Sequence, residues 1–490
     1  METSFIQNDT YHISFRENMS FESFIDTVWE FDDYLWYIPF ALIICLGIYS
    51  TIKLKGIQFI HLPEMFKITF SREKTGKDQI SPFHVFCMSM GNRIGVGNIA
   101  GPITALLMGG PGAIFWMWIF ATLGGATSFV ETTVGQIFKN KDENEGFIGG
   151  PAYNVFNGLG SRKFGLVLAG LMIAVYIGGY VLSEISTIST SFTGAYDFQY
   201  NNLVIAFILV AIAVLVVTGG FKRVAKASAL VVPAMALLWI VLCIVVMCMN
   251  IDGVPNAIVS IFDCAFNIPA TVGGGVGAML TIAMRRGIWS NEAGEGTITN
   301  ISSSADVTHP VKQGLSQCLG VLFDTLISTM TALVVLSFFT DYDALVATGI
   351  EDSMPLLEHV MSSTIGGIAP SFVFFFMFLF AITSFMGDYV IGENNLRLIT
   401  KEKKAKYGLI ALTLAVVFFA AYFGTDGLYA IMDVLLAICG IVNCFVMFKL
   451  GKYALEAYAD YREQKKRGVE DPVFHKSCLS DPSGVTAWDD

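Results

Sequence analysis

Apolar residues come in long blocks along this chain, and polar residues collect in the gaps between them. A helix needs about 20 consecutive apolar residues to cross the bilayer core. Blocks of that order fall at roughly 35–55, 82–108, 112–138, 165–195, 203–218, 228–250, 270–298, 315–338, 370–396, 407–424 and 428–450. They predict eleven transmembrane helices. The second block is interrupted by Met90-Gly91-Asn92-Arg93-Ile94-Gly95-Val96-Gly97-Asn98-Ile99-Ala100-Gly101-Pro102. Inside a helix, Gly costs about 1 kcal/mol and Pro about 3 kcal/mol relative to Ala. Within a membrane, broken backbone is tolerated only where protein or a cavity satisfies the freed N–H and C=O groups. A break carrying Asn and Arg is therefore a candidate binding site.

Composition supports this class. Of 490 residues, 54% are hydrophobic and 14% charged, where a soluble domain carries about 25% charge. The chain reads as an all-α polytopic membrane protein in a lipid bilayer. The net charge of −11, with no basic domain, excludes nucleic acid as a partner. Residues 1–34 hold Glu2, Asp9, Glu17, Glu22, Asp26, Glu30, Asp32 and Asp33 against Arg16 alone. No basic stretch precedes an apolar core there, so no cleaved signal peptide is expected. The nine cysteines are scattered through apolar runs without metal spacing and read as small apolar side chains.

Lys and Arg set the expected orientation. Basic residues fall in 51–81, 139–163, 219–227, 285–313, 397–406 and 449–490, which eleven spans place on one side. The opposite loops, 109–111, 196–202, 251–269, 339–369 and 425–427, contain no Lys or Arg; only Arg16 and Arg93 fall outside the basic side. The expected location is the cell membrane, with the N-terminus outside and the C-terminus cytoplasmic. The expected domains are an extracytoplasmic acidic segment (1–34), an extra first helix (35–55), two five-helix repeats (82–250 and 270–450) and a cytoplasmic tail (451–490). The tail reads as helical at first and then disordered. The first helix of the second repeat is also glycine-rich, at Thr271-Val272-Gly273-Gly274-Gly275-Val276-Gly277. Two interrupted helices at matching positions of oppositely oriented halves point to an inverted-repeat secondary transporter. Nothing in the pattern specifies an oligomeric state.

Exposed amides at a half-helix N-terminus attract a carboxylate, and carbonyls freed from their i+4 donors coordinate a bare cation. Gly95, Val96, Gly97 and Asn98 supply both. Arg93, Glu131, Glu184 and Asp388 are the ionisable residues deepest in the blocks, where a charge costs roughly 3 kcal/mol or more and normally faces a cavity or a partner. Glu131 reads as a buried polar anchor. Arg93 reads either as one half of an internal salt bridge or as a bidentate carboxylate grip. The six histidines lie in loops, tails or block edges, without a His-Glu-x-x-His pattern. The chain therefore reads as a non-enzyme without a cofactor.

Gly95-Val96-Gly97-Asn98-Ile99-Ala100-Gly101, Gly109-Gly110-Pro111-Gly112-Ala113-Ile114-Phe115-Trp116-Met117-Trp118 and Gly149-Gly150-Pro151-Ala152-Tyr153 recur here in an order that resembles the alanine/glycine:cation symporter family. The resemblance continues through Arg286-Gly287-Ile288-Trp289-Ser290-Asn291-Glu292-Ala293-Gly294-Glu295-Gly296, His309-Pro310-Val311-Lys312-Gln313-Gly314-Leu315, Asp324-Thr325 and Gly392-Glu393, covering about 81–400. It implies a LeuT-type five-plus-five inverted repeat, spans 2–6 and 7–11, behind the extra helix. It also implies uptake of small neutral amino acids driven by Na⁺ or H⁺. On that basis Thr383 and Ser384, with Ile94, Gly95, Gly97 and Asn98, are the expected Na⁺ ligands. The substrate is expected on Arg93, Gly95, Val96, Gly97, Asn98, Ser183, Glu184, Gly273, Gly277 and Asp388, with its carboxylate on the Gly95–Asn98 amides and its amino group toward Gly273–Gly277. The Ser290–Gly296 run reads as a helix-ending turn or an inner gate.

The departures from the family pattern fall in the pocket. Val96 replaces a threonine, Ser183-Glu184-Ile185 stands near a Gln-Ala-Asn run, and Asp388 takes a tryptophan's place after Thr383 and Ser384. The main expectation is sodium-coupled symport of a small amino acid by alternating access. The alternative is proton-coupled symport of a polar amino acid, or a related amine or carboxylate, through Glu184 and Asp388. A passive channel is a remote third.

Overall fold

The computed structural model describes residues 21–71, 80–142, 146–196, 200–266, 275–339, 341–424 and 426–488. Helices dominate them: α1 (Phe21–Leu35), α2 (Tyr37–Lys53), α3 (Leu62–Thr69), α4 (Pro82–Arg93), α5 (Gly97–Gly109), α6 (Gly112–Ile137), α7 (Arg162–Val175), α8 (Val181–Ala195), α9 (Asn201–Met249), α10 (Val254–Cys264), α11 (Gly275–Asn291), α12 (Thr297–Ser302), α13 (Pro310–Phe338), α14 (Ser353–Ile365), α15 (Ala369–Ile399), α16 (Lys403–Phe423) and α17 (Asp426–Lys466). A small antiparallel hairpin, β1 (Asn140–Asp142) with β2 (Gly146–Ile148), pairs Lys141 with Phe147.

Among the described residues, eight helices are long and apolar enough to cross a membrane, by length and composition. The difference from the expected eleven has local causes. The block at 82–108 is two short helices, α4 and α5, separated by the glycine break. The block at 270–298 is likewise divided between α11 and α12. The blocks at 203–218 and 228–250 form the 49-residue α9, bent at Gly220, whose φ of 71° and ψ of 167° leave the helical region. Gly alone adopts such angles without a Cβ clash.

The ends of the chain hold more structure than their polarity suggests. The first apolar helical unit runs from Ser23 to Lys53, so residues 23–34 of the expected acidic segment are helical. Trp36, between α1 and α2, is buried and donates its indole N–H to Asp433 on α17 at 3.2 Å. Arg285 lies within α11 and pairs with Asp33 at 2.5 Å and Asp32 at 3.4 Å. It thus joins the N-terminal acids instead of sitting in a basic loop.

The expected disorder of the tail is corrected as well. Beyond α17 the chain folds back over the ends of α6 and α13. Phe474 N–H donates to Thr308 O at 2.9 Å, and the Trp488 indole donates to Gln136 O at 2.8 Å. Lys139 sits between the Phe147 ring at 3.8 Å and the Trp488 ring at 4.8 Å. Two aromatic rings against a buried ammonium give this polar segment a reason to order.

Apolar side chains pack in three clusters. Among them lies a buried polar layer that includes Asn92, Arg93, Asn98, Glu131, Glu292, Asp324 and Asp388. Lipid is as apolar as leucine, so close packing and hydrogen bonds hold such helices together. Gly124 on α6 shows the packing: a Cβ there would stand 3.2 Å from the Asn291 amide and 3.2 Å from the Ala293 methyl.

Candidate functional site

Ser81 and Pro82 start α4, the Ser81 hydroxyl accepting the His84 N–H at 3.3 Å. The last regular bond of α4 is Ile94 N–H to Met90 O at 2.7 Å. Ile94 then turns out of the helix at φ −79°, ψ 75°. The Gly95 amide turns to Arg93 O at 2.9 Å and to Asn98 Oδ1 at 3.1 Å, and the Asn98 amide to Gly95 O at 3.1 Å. The Gly91 carbonyl therefore loses its i+4 donor. So does Ile94, because the Asn98 amide bonds to Gly95. The amides of Val96 and Gly97, at the start of α5, make no hydrogen bond among the described residues.

Among the described residues, the second helix is interrupted further along the chain than the expected stretch. Gly277 is exposed and already inside the regular helix α11, with nothing within 4 Å of its Cβ position. Gly273 lies outside the described residues. The interruption falls between α11 and α12, where Glu292 has φ 53°, Gly294 φ 96° and Gly296 φ 84°. The Ser290–Gly296 run is thus the turn of the second broken helix, and it faces the first. A cavity of about 50 Å³ between the two turns is lined by residues of both, including Gly95, Gly97, Ser290 and Glu292, together with Tyr180, Glu184 and Arg286.

Arg93 lines this cavity, but most of its donors are already engaged. Its Nε donates to Asn291 O at 3.0 Å, one terminal nitrogen to Gln317 O and Oε1 at 3.0 and 3.1 Å, and the other to Ser128 Oγ at 2.8 Å. No carboxylate pairs with it among the described residues, so the expected internal salt bridge is absent there. The guanidinium instead cross-braces α4 to α6, α11 and α13. Asn98 is similarly committed. Its Nδ2 donates to Asp324 Oδ1 at 2.5 Å and Ser328 Oγ at 3.0 Å, while Ser290 Oγ donates to the same carboxylate at 3.1 and 3.2 Å. Glu131 is anchored by Asn443, whose Nδ2 donates to it at 2.6 Å and to Gly294 O at 2.9 Å.

The hydroxyl pair on α15 behaves unevenly. Thr383 donates back to Phe380 O at 2.9 Å, which is the usual habit of hydroxyls in membrane helices. Its lone pairs stay available. Ser384 reaches across to Gly91 O at 3.3 Å and Asn92 O at 3.4 Å. Ser384 Oγ thus meets the freed Gly91 carbonyl, and the Thr383 Cβ stands 3.3 Å from the position a Gly91 Cβ would take. Ser183, next to Glu184 on α8, lines a separate cavity of about 520 Å³ with hydroxyl-bearing neighbours such as Thr187 and Thr190, with Trp29 of α1 at its rim.

The match to a family model for sodium:alanine symporters extends over residues 20–476. The chain belongs to the sodium:alanine symporter family. It is 36% identical over 476 residues to the amino-acid carrier protein AlsT of Bacillus subtilis, covering 96% of this chain and 99% of that one. A probable sodium/glutamine symporter of the same bacterium, GlnT, is 38% identical over 462 residues, 93% of this chain and 94% of its own. The sodium/alanine symporter AgcS of Methanococcus maripaludis is 35% identical over 327 residues, 64% of this chain and 70% of its own. Membership makes this family member a multi-pass membrane transporter, not an enzyme, with sodium-coupled amino-acid symport as its activity.

Sequence reasoning did not single out Gly91, Asn92, Tyr180, Arg286, Ser290, Glu292, Asp324 or Ser328 as site residues. Most stand inside the motifs quoted above or next to them. Their part in the site depends on the two turns meeting, and spacing along the chain does not encode that meeting.

Proposed function

We propose that this family member carries a small amino acid into the cell with Na⁺ by alternating access. In this reading it has eleven spans, a five-plus-five inverted repeat of the LeuT type, an external N-terminus and a cytoplasmic C-terminus. The observation that carries the reading is the approach of Ser384 Oγ to Gly91 O and Asn92 O, at 3.3 and 3.4 Å, beside a helix break. Na⁺ would lie among the carbonyls of Gly91, Ile94 and Gly97 and the hydroxyls of Thr383 and Ser384. An amino acid would sit next to it, with its carboxylate on the Val96 and Gly97 amides, where the helix dipole favours negative charge. The packing of α5 on α11 and of α4 on α12 supports an antiparallel pairing of the two broken helices, as an inverted repeat would have. One positive charge moving inward down 100 mV releases about 2.3 kcal/mol, or roughly 50-fold accumulation before the ion's own gradient is counted.

The test is uptake into proteoliposomes holding the purified full chain. Uptake above the external concentration that requires an inward Na⁺ gradient, and weakens when Thr383 and Ser384 are both changed to alanine, supports the reading. Uptake driven by a pH gradient alone would replace Na⁺ with H⁺. Flux that never exceeds equilibrium would indicate a channel.

A further inference from the structure

Two carboxylates line the small cavity beside the first break, Glu184 from α8 and Glu292 from the turn after α11; a third, Asp388 on α15, follows Gly387, which packs against Asn92 of the same cavity lining. Glu292 has a donor, since Asn92 Nδ2 lies 3.2 Å from both of its oxygens. The other two are not fully answered. Glu184 Oε2 and both Asp388 oxygens are buried with no hydrogen-bond partner among the described residues, and so is Asn92 Oδ1. Glu184 Oε1 lies 3.7 Å from the position a Gly95 Cβ would take, so this carboxylate faces the break itself. Gly387, just before Asp388, is held so tightly against the Asn92 amide that no Cβ fits between them. The Asn92 side chain, Glu184 and Glu292 are all within electrostatic range of Asp388. The result is three buried carboxylate oxygens, one on Glu184 and two on Asp388, without a hydrogen-bond donor among the described residues.

Arg93 does not meet this need. Arg93 gives its hydrogen bonds to Asn291, Gln317 and Ser128. Arg286 lines the cavity but also borders the pocket that holds Asp433 and Asp33. Leaving a buried charged acceptor unmade is costly, and ionisable groups inside a membrane protein mark substrate or ion paths. A ligand that brings its own donors would satisfy them.

We propose that Glu184 and Asp388 form the side-chain end of the substrate site and select amino acids whose side chain terminates in N–H donors, an amide or an ammonium, over alanine and glycine. This rests on the sodium-coupled amino-acid symport reading and names the substrate class of that same site. Alanine's methyl group would leave every one of these acceptors unanswered. Sites built to hydrogen-bond a substrate group reject analogues lacking that group far more strongly than apolar pockets reject a change of size.

The experiment measures initial uptake of radiolabelled L-alanine, L-asparagine, L-glutamine and L-ornithine into proteoliposomes of the full chain under an inward Na⁺ gradient. Each amino acid is also used unlabelled as a competitor. At least one donor-bearing substrate is expected to exceed alanine about tenfold in uptake efficiency, the scale of one hydrogen bond to a charged group. The amide and ammonium arms show which donor is read. Glu184→Gln and Asp388→Asn are each expected to shrink that preference about tenfold. Alanine taken up most efficiently by the native chain overturns the proposal, and so does an unchanged ranking in both variants. If a variant does not fold, the native panel alone decides. Absence of Na⁺-dependent uptake for every probe overturns the symport reading, and the selectivity proposal with it; Na⁺-dependent uptake with alanine preferred overturns selectivity alone.

Discussion

Asn98 Nδ2 lies 2.5 Å from Asp324 Oδ1, a bond that ties the first broken helix to α13, 226 residues further along the chain. The same Asn98 accepts the Gly95 N–H, and the same Asp324 accepts the Ser290 hydroxyl from the end of α11. Both helix breaks are thus pinned through one carboxylate. Asp324→Ala is expected to lower maximal uptake at least about tenfold and to reduce stability by about 1–3 kcal/mol, because Asn98 and Ser290 lose a buried acceptor. Uptake rates and thermal melting of the purified protein check this. Native values for both would show that the pin is dispensable.

Gly95 and Gly97 are two residues apart but have different surroundings. A Cβ on Gly95 would stand 2.8 Å from Ser384 Oγ, whereas a Cβ on Gly97 has nothing within 4 Å. Gly95→Ala is expected to raise the Na⁺ concentration for half-maximal uptake about tenfold by pushing Ser384 off the freed carbonyls. Gly97→Ala is expected to keep the native melting temperature, since only open space receives the methyl. A Na⁺ titration of uptake on both variants, with melting curves, separates the two. Equal effects on Na⁺ affinity would contradict the assignment.

Asn443 supports the second turn from behind by donating to Glu131 at 2.6 Å and to Gly294 O at 2.9 Å. Removing a donor from a buried carboxylate leaves the full desolvation penalty, about 1–3 kcal/mol or more. Asn443→Ala should therefore lower the melting temperature of the purified protein clearly. Asn443→Gln should recover part of the loss only if its longer amide still reaches Glu131. A melting temperature within error of native for Asn443→Ala would remove Glu131 from the list of structural anchors.

Glu64 on α3 offers a pH test outside the spans. The hydrogen bond from His61 at 2.7 Å, with further help from Tyr461 at 2.8 Å, holds its carboxyl at about 2, below the usual 4.5. A group whose folded-state pKa is depressed adds stability above its unfolded value and loses it as pH falls through the folded value. The melting-temperature gap between native protein and Glu64→Gln should be widest above about pH 5 and close as pH falls from 4.5 toward 2. A gap that stays constant across that range would mean the carboxylate gains nothing from its neighbours.

The residues involved show how much could be read in advance. The break at Gly95–Asn98 was visible because glycine and proline weaken a helix through their own backbone, whatever surrounds them. Thr383 and Ser384 were reachable only through the resemblance, since a hydroxyl pair in an apolar run has no spacing that distinguishes a ligand from a residue bonded to its own turn. The second turn that the structure describes lies further along than expected, and 271–274 fall outside the described residues. Glycine content drew attention to 271–277, while the described turn is made by Glu292, Gly294 and Gly296 in a polar run that looked like a helix end. Its role depends on packing against Gly124 and on the hydrogen bond from Asn443, both supplied by distant helices.

By itself, then, the sequence determined the membrane class, the helical blocks and the weak point in the first broken helix, because hydropathy and backbone propensity act over a few residues. Only the tertiary structure decided what the buried polar groups do. Arg93 reads as free to hold a carboxylate and is a brace; Asn98 reads as an ion ligand and is also a pin; Glu184 Oε2 and both Asp388 oxygens have no donor among the described residues. Hydrogen-bond partners some 200 residues apart are chosen by how the helices pack. A buried polar group must take whatever donor that packing brings within about 3 Å.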